Sequence, residues 1–263
     1  MDSKTNSASL RLAREKAILE DAEKLSAKRP LASNLIHEIK TPVSIIISYI
    51  ETMIEHDVDD ATRKKFLIKC LENAERLQKI TDNLSKITRL DDVQSHEMKL
   101  VNFSEIAASV FSNMSVMLQG KNISGVCNLP NDITMMGDKG LIINVLENLV
   151  KNAFHYSQGT QVRLDLLSHD DKSFTVTFSD NGEGVPPECI PHLFERFYRV
   201  DKERNPAGTG LGLSIVKSSV ERLGGRIIAE NAAPHGLLFT ITFPKPSPKN
   251  KTAKSICIKL SDL

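Results

Sequence analysis

The stretch His37-Glu38-Ile39-Lys40-Thr41-Pro42 decides how the first third of this chain is read. Around it, apolar residues recur at Ile36, Ile39, Val43, Ile46, Ile50 and Met53, in alternating steps of three and four. That spacing predicts the seam of a helix packed in a helical bundle. With Ile36 at heptad position a, His37, Glu38 and Thr41 fall at b, c and f, off the seam and facing water. A lone exposed histidine is usually no more than solvated. One beside a carboxylate, with a hydroxyl a turn later on the same face, suits chemistry at an imidazole nitrogen. Pro42 offers no N–H to the carbonyl of Glu38, so a kink is expected beside His37.

Upstream, the seam continues through Ile18, Ala22, Leu25 and Ala32, with a break expected at Pro30, and residues 1–9 read as disordered. Downstream, the polar run from His56 to Lys64 predicts a turn with Asp and Thr caps. A second helix follows from about Asp60 to Leu90, with its seam at Leu67, Cys70, Ala74, Leu77, Thr81 and Leu84. Residues 10–95 therefore read as an antiparallel helical hairpin. One hairpin cannot bury a stripe on both helices, so two copies are expected to pair as a homodimer with a four-helix bundle.

From about Leu100 the pattern becomes mixed. Strands are expected at Lys99–Asn102, Ile133–Met136, Gln161–Leu167, Phe174–Ser179, Arg226–Glu230 and Leu238–Phe243. Helices are expected at Phe103–Gln119, Gly140–Ala153 and Leu211–Leu223. They interleave without a regular βαβ repeat, which predicts an α+β sandwich over residues 100–244. The tail, 245–263, is linker-like, and its final SICIKLSDL is either an edge strand or loose.

Composition narrows the function. The 263 residues are 40% hydrophobic and 25% charged, ordinary for a globular chain, and Trp is absent, so the core must rest on aliphatic residues. A net charge of +1 supplies no basic field for nucleic acid or an anionic membrane. Cys70, Cys127, Cys189 and Cys257 are isolated and read as reduced thiols. No apolar run approaches the ~20 residues of a membrane span, and no signal-peptide core opens the chain. It reads as cytoplasmic, either soluble or the cytosolic part of a membrane-bound sensor joined to the membrane through an upstream segment.

Three further stretches carry chemistry. Asp180-Asn181-Gly182-Glu183-Gly184 closes a strand: the glycines allow close backbone approach, and the Asp suits an exocyclic amine such as adenine N6. Gly208-Thr209-Gly210-Leu211-Gly212-Leu213 opens a helix, where backbone N–H groups converge on an anion. No strand leads into it, which counts against a dinucleotide fold. Asn148 and Asn152 stand at i and i+4, so both amides share a helix face, suited either to a hydrogen-bonded surface or to a phosphate-bound Mg²⁺.

Taken in order, HEIKTP, NVLENLVKNAFHYS, DNGEGVP, FERFYR and GTGLGLSIVK resemble the H, N, G1, F and G2 boxes of sensor histidine kinases of two-component systems. The resemblance covers about Ser33 to Pro244. It implies a dimerisation and histidine-phosphotransfer hairpin followed by a Bergerat-type ATP-binding domain, with ATP and Mg²⁺ as cofactors and a response-regulator receiver domain as partner. His37 would be the phosphoacceptor and Glu38 its acid/base, while Thr41 would help position water in the reverse, phosphatase direction. Asn152 would hold Mg²⁺ with Asn148 beside it, and His155 and Tyr156 would complete the nucleotide side of that helix. Asp180 would read adenine, with Gly182 and Gly184 shaping its pocket. Gly208, Thr209, Gly210, Leu211 and Gly212 would meet the phosphates, and Arg199 would reach the γ-phosphate. A lid is expected at about Val200–Ala207.

The chain departs from the family's pattern in two places. His155 stands where a phosphate-contacting Lys is usual, and Ala233-Pro234-His235-Gly236-Leu237 keeps one glycine of the last box without its Ser/Thr. Two other readings compete. A gyrase-type ATPase of the same nucleotide fold needs a water-activating Glu; the candidate, Glu147, points about 100° away from Asn148. A scaffold acting mainly as phosphatase or docking module is the other.

Overall fold

The computed structural model describes residues 35–36, 38–91, 97–201 and 208–245. His37, the break at Pro30, most of the expected lid and the tail beyond 245 lie outside the described residues. The chain divides into two compact units, one up to Ile80 and the other from Thr81 onward.

In the first unit, helix α1 covers residues 38–55, with 35–36 also helical, and stays helical through Pro42. Asp59 then caps helix α2 (Asp60–Asp91), accepting from the Thr62 N–H at 2.9 Å and the Thr62 hydroxyl at 2.7 Å. Those bonds hold the Asp59 carboxyl below its ordinary value. The two helices meet where Cys70 Sγ lies 3.8 Å from the Ile46 carbonyl and the Tyr49 and Phe66 rings stack 4.8 Å apart. Much of the apolar surface stays uncovered: Ile36, Val43 and Ile50 of the expected seam are exposed, and so are Ile47, Ile54, Ile68 and Leu71 beside it. The apolar stripe is thus broader than the heptad seam alone.

The second unit is built on a five-stranded sheet in the order β2-β4-β5-β7-β6, with a separate β1-β3 pair. Its elements are β1 (Lys99–Asn102), α3 (Phe103–Gln119), β2 (Ser124–Asn128), β3 (Thr134–Gly137), α4 (Lys139–Tyr156), β4 (Gln161–His169), β5 (Ser173–Asp180), α5 (Gly212–Arg222), β6 (Arg226–Asn231) and β7 (Leu237–Pro244). A 3₁₀ turn, Pro187–His192, lies between β5 and α5. β2 runs parallel to β4, and the other pairs of the sheet are antiparallel.

β5 shows why the sheet has two different faces. Phe174, Val176, Phe178 and Asp180 point to the buried side, while Thr175 on the other side bonds Thr242 at 3.0 Å. In register, Phe178 faces Phe239, Val176 faces Ile241 and Phe174 faces Phe243, so the buried faces of β5 and β7 form one apolar surface. Helices α3, α4 and α5 cover it with Phe103, Val110, Leu146, Leu149, Ile215 and Val216, joined by Ile87 and Leu90 from the end of α2. Side-chain caps start two of the helices: Asn102 takes the Glu105 N–H, and Asp138 the Leu141 N–H. The helices and strands expected between residues 99 and 244 are all present, within a few residues. β2 was not expected; Ser124-Gly125-Val126-Cys127-Asn128 has a single β-branched residue and no polar–apolar alternation. β4 runs two residues longer than expected and shifts register between Leu166 and Ser168, leaving Leu167 exposed.

Candidate functional site

The packed face of α4 places its polar groups. Leu141, Ile142, Val145, Leu146, Leu149, Val150 and Ala153 are buried, which leaves Asn148 and Asn152 together at the half-buried margin. Asn148 Nδ2 donates to the Asn144 carbonyl at 2.7 Å. Its Oδ1 stands 3.3 Å from where a β-carbon on Gly212 would lie, so the amide face meets the start of α5. Among the described residues no side chain caps that helix: Leu211 occupies the N-cap position, and first-turn amides of this kind suit an anion.

The glycine run is pinned from the other side by the 194–199 segment. The Phe197 N–H donates to the Gly210 carbonyl at 2.8 Å. Gly210 has φ +67, and a side chain there would lie 2.7 Å from the Phe197 backbone. Phe197 itself has φ +66, a conformation that costs free energy in a residue with a side chain and clusters at functional sites. Arg199 follows, half-buried, and Gly208 and Thr209 are half-buried as well.

The end of β5 carries the third element. Asp180 is buried and accepts the Gly182 N–H at 2.9 Å through Oδ1. Burial pushes its carboxyl above the ordinary range, against the opposing pull of the Gly182 and Leu237 N–H groups. Gly182 is pressed against the C-terminus of α4, where the Ser157 carbonyl accepts the Glu183 N–H at 3.1 Å. Asn181 ties the loop to β4, its Oδ1 accepting from the Thr160 and Gln161 N–H groups at 2.8 Å each. Beyond Gly184 (φ +73), Asn231 clamps Val185, taking its N–H at 2.9 Å and donating to its carbonyl at 2.7 Å.

The segment read as a degraded last box still does structural work. At Gly236 (φ +112) a β-carbon would fall 1.9 Å from the Asp180 carbonyl oxygen, so the one retained glycine is required. His235 Nδ1 lies 3.2 Å from the Gly182 carbonyl, on the far side of the same loop. The second unit therefore brings Asn148, Asp180, Gly182, Gly210 and Gly212 into one connected arrangement. His155 is exposed, its ring edge-on to Phe154, and Tyr156 is half-buried beside it. Glu147 pairs with Lys151 at 2.7 Å, one helical turn on, so the water-activating role weighed for it has no support in this geometry.

In the first unit, Thr41 is exposed on α1, and Glu38 forms an ion pair with Arg76 of α2 at 2.7 Å. Sequence reasoning missed Arg76 and also Ser157, Asn181, Asn231 and His235. Among them only the Asn of the DNG turn carried a sequence signal, since Asn favours such turns.

Among the described residues, no group of three His, Cys, Asp or Glu side chains could hold a metal ion. A neutral amide oxygen suits Mg²⁺, which keeps few protein ligands when phosphate oxygens and water supply the rest. No helix among the described residues is long and apolar enough to cross a membrane.

Residues 27–92 match the family model of the His kinase A phospho-acceptor domain, and residues 137–247 that of the histidine kinase-, DNA gyrase B- and HSP90-like ATPases. The sensor-like histidine kinase SenX3 of Mycolicibacterium smegmatis is 30% identical over 236 residues, 88% of this chain and 61% of the relative. The sensor histidine kinase WalK of Bacillus subtilis is 31% identical over 229 residues, 82% of this chain and 36% of the relative. The chain thus spans between about a third and three-fifths of these relatives' length. In fold it is similar to the Acinetobacter baumannii histidine kinase AdeS (TM-score 0.63, 22% identity, 80% of this chain and 98% of that one). It is also similar to the histidine kinase ThkA, solved in complex with the response regulator protein TrrA (TM-score 0.71, 23% identity, 90% of this chain and 67% of that one). A phospho-acceptor domain followed by this ATPase domain, with relatives of one kind, makes the chain a member of the sensor histidine kinases of two-component systems.

Proposed function

We propose that this chain is an ATP-dependent protein-histidine kinase, which phosphorylates itself on His37 and passes the phosphoryl group to an aspartate of a response regulator. The observation that carries this reading is the joining of the Asn148 face, the Asp180 turn, the Phe197 backbone and the Gly210–Gly212 helix start in one domain. These are the parts that phosphoryl transfer asks of a protein: positioning and charge neutralisation. In this reading Asp180 accepts the adenine amine, and the first amides of α5 meet the phosphates. Arg199 reaches the γ-phosphate, and Asn152, beside Asn148, holds Mg²⁺. When bound, the ion neutralises charge on the phosphate oxygens. Glu38 takes the proton of the His37 imidazole, and Thr41 serves the reverse reaction by positioning water. The domain limits proposed are 10–95 for the hairpin and 100–244 for the nucleotide domain.

ATP labelled at the γ-phosphate separates this reading from hydrolysis. Incubation with Mg²⁺ should leave label on the protein that is lost in acid and kept in base, as a phosphoramidate behaves. Released phosphate with an unlabelled protein would favour a simple ATPase.

The broad apolar surface on the hairpin supports a homodimer. Leu71 is 60% exposed in the single chain, so Leu71→Lys should cost the lone hairpin little. In a dimer it would bury an unpaired charge. Sedimentation at micromolar concentration should find the parent dimeric and the variant largely monomeric; a monomeric parent would contradict the pairing. The receiver-domain partner and a cytoplasmic setting, with membrane attachment through an upstream segment, are proposed with the same kinase role.

A further inference from the structure

We propose that Arg76 is a positioning residue for phosphoryl transfer, holding the Glu38 carboxylate in the orientation from which it accepts the His37 proton. This rests on the kinase reading above. Adjacent residues on a helix point about 100° apart, so a carboxylate at position 38 does not face an imidazole at position 37 by default. Something must fix its side-chain torsions. The Arg76 Nη2–Glu38 Oε2 bond, 2.7 Å long, does so from the opposite helix.

The pair differs from an ordinary surface contact. The side chains are only 15% exposed for Arg76 and 23% for Glu38, so solvent screens the bond weakly and both ends are restrained by packing. Arg76 Nε is also buried, so the whole guanidinium is held by the packing of the hairpin rather than by solvent. Because Arg76 binds Oε2, Oε1 is the oxygen left to work. As the N–P bond forms, the P–O bond to the departing ADP breaks and its electron pair leaves with the ADP. The imidazole proton passes to Glu38 Oε1. An unheld Glu38 would have to find that geometry in each turnover.

The test is autophosphorylation kinetics of the full chain. Arg76→Gln should lower the rate at saturating ATP by at least about tenfold, the scale of a mispositioned general base, with KM for ATP unchanged. Arg76→Lys, which keeps a cation, should recover to within about threefold of the parent. In a Glu38→Gln background, Arg76→Gln should add less than about twofold, because a residue acting through Glu38 has nothing left to position. If Arg76→Gln does not fold, as judged by circular dichroism, Arg76→Met keeps the aliphatic stem and is read in the same way. A parent-like rate without the cation would overturn the inference, and so would full additivity with Glu38→Gln. A parent that never labels His37 would instead sink the kinase reading itself.

Discussion

Gly182→Ala is expected to abolish nucleotide binding and to destabilise the nucleotide domain by about 3 kcal/mol or more, the upper range for overpacking a rigid site. The added methyl would lie 1.8 Å from the Ser157 carbonyl oxygen and 2.5 Å from its carbon. Both are backbone atoms at the end of α4, so no side-chain rotation can make room. Relief must come from lifting the whole 180–184 turn. That breaks the Glu183–Ser157 bond and the Gly182 N–H bond to Asp180, the proposed adenine acceptor, and displaces its carboxylate. Gly120→Ala is a fair control: its backbone is helical, and the methyl would meet the Met117 carbonyl at 3.3 Å and the Val116 carbonyl at 3.7 Å. Thermal unfolding and calorimetric titration with a non-hydrolysable ATP analogue would read both variants. A Gly182→Ala protein that melts and binds as Gly120→Ala does would show that the turn is more yielding than its contacts indicate.

Asp180→Asn is expected to have two effects of opposite sign. Without nucleotide at neutral pH the variant should be more stable than the parent. The carboxyl titrates higher in the folded than in the unfolded chain because it is buried, so its stabilising contribution is complete below the unfolded value. That contribution is lost as pH rises through the folded value. At pH 7 the ionised group is therefore a cost that a neutral amide removes, while an amide oxygen can still accept the Gly182 N–H. The gain in melting temperature should shrink as pH falls through the raised value of the parent's buried carboxyl, where that group takes up its proton. Affinity should move the other way. A hydrogen bond to a charged acceptor is worth about 1.5–3 kcal/mol, so ATP binding should weaken by roughly 10- to 100-fold while GTP, whose O6 is repelled by a carboxylate, is spared. Unchanged discrimination between ATP and GTP would remove the adenine role from Asp180. A variant less stable than the parent at pH 7 would contradict the electrostatic argument.

What the sequence revealed was local. The three-four step of Ile36 to Met53 is a property of consecutive residues, and it anticipated α1 without any partner in view. The shared face of Asn148 and Asn152 follows from helical pitch alone. The features that escaped depend on groups distant in the chain. Arg76 meets Glu38 across the hairpin at a separation of 38 residues. No periodicity singles it out among the charged residues of α2. The left-handed Phe197 donates its N–H to Gly210, thirteen residues on, and a Phe shows no intrinsic preference for that conformation. Gly236 looked like the remnant of a lost motif because its neighbours had changed; its function is steric, set by the Asp180 carbonyl against it. β2 is held as an edge partner of β4, and pairing rather than side-chain pattern makes it a strand.

The most direct test of the account is to locate the phosphate. The parent and His37→Gln would be incubated with γ-labelled ATP and Mg²⁺, digested at neutral pH and mapped by mass spectrometry under conditions that preserve phosphohistidine. One acid-labile phosphate is expected, on the peptide containing His37, and none in His37→Gln, although that variant should still bind ATP and sediment as the parent does. Retained acid-labile label in His37→Gln, or a phosphate on any other residue of the parent, would contradict this expectation.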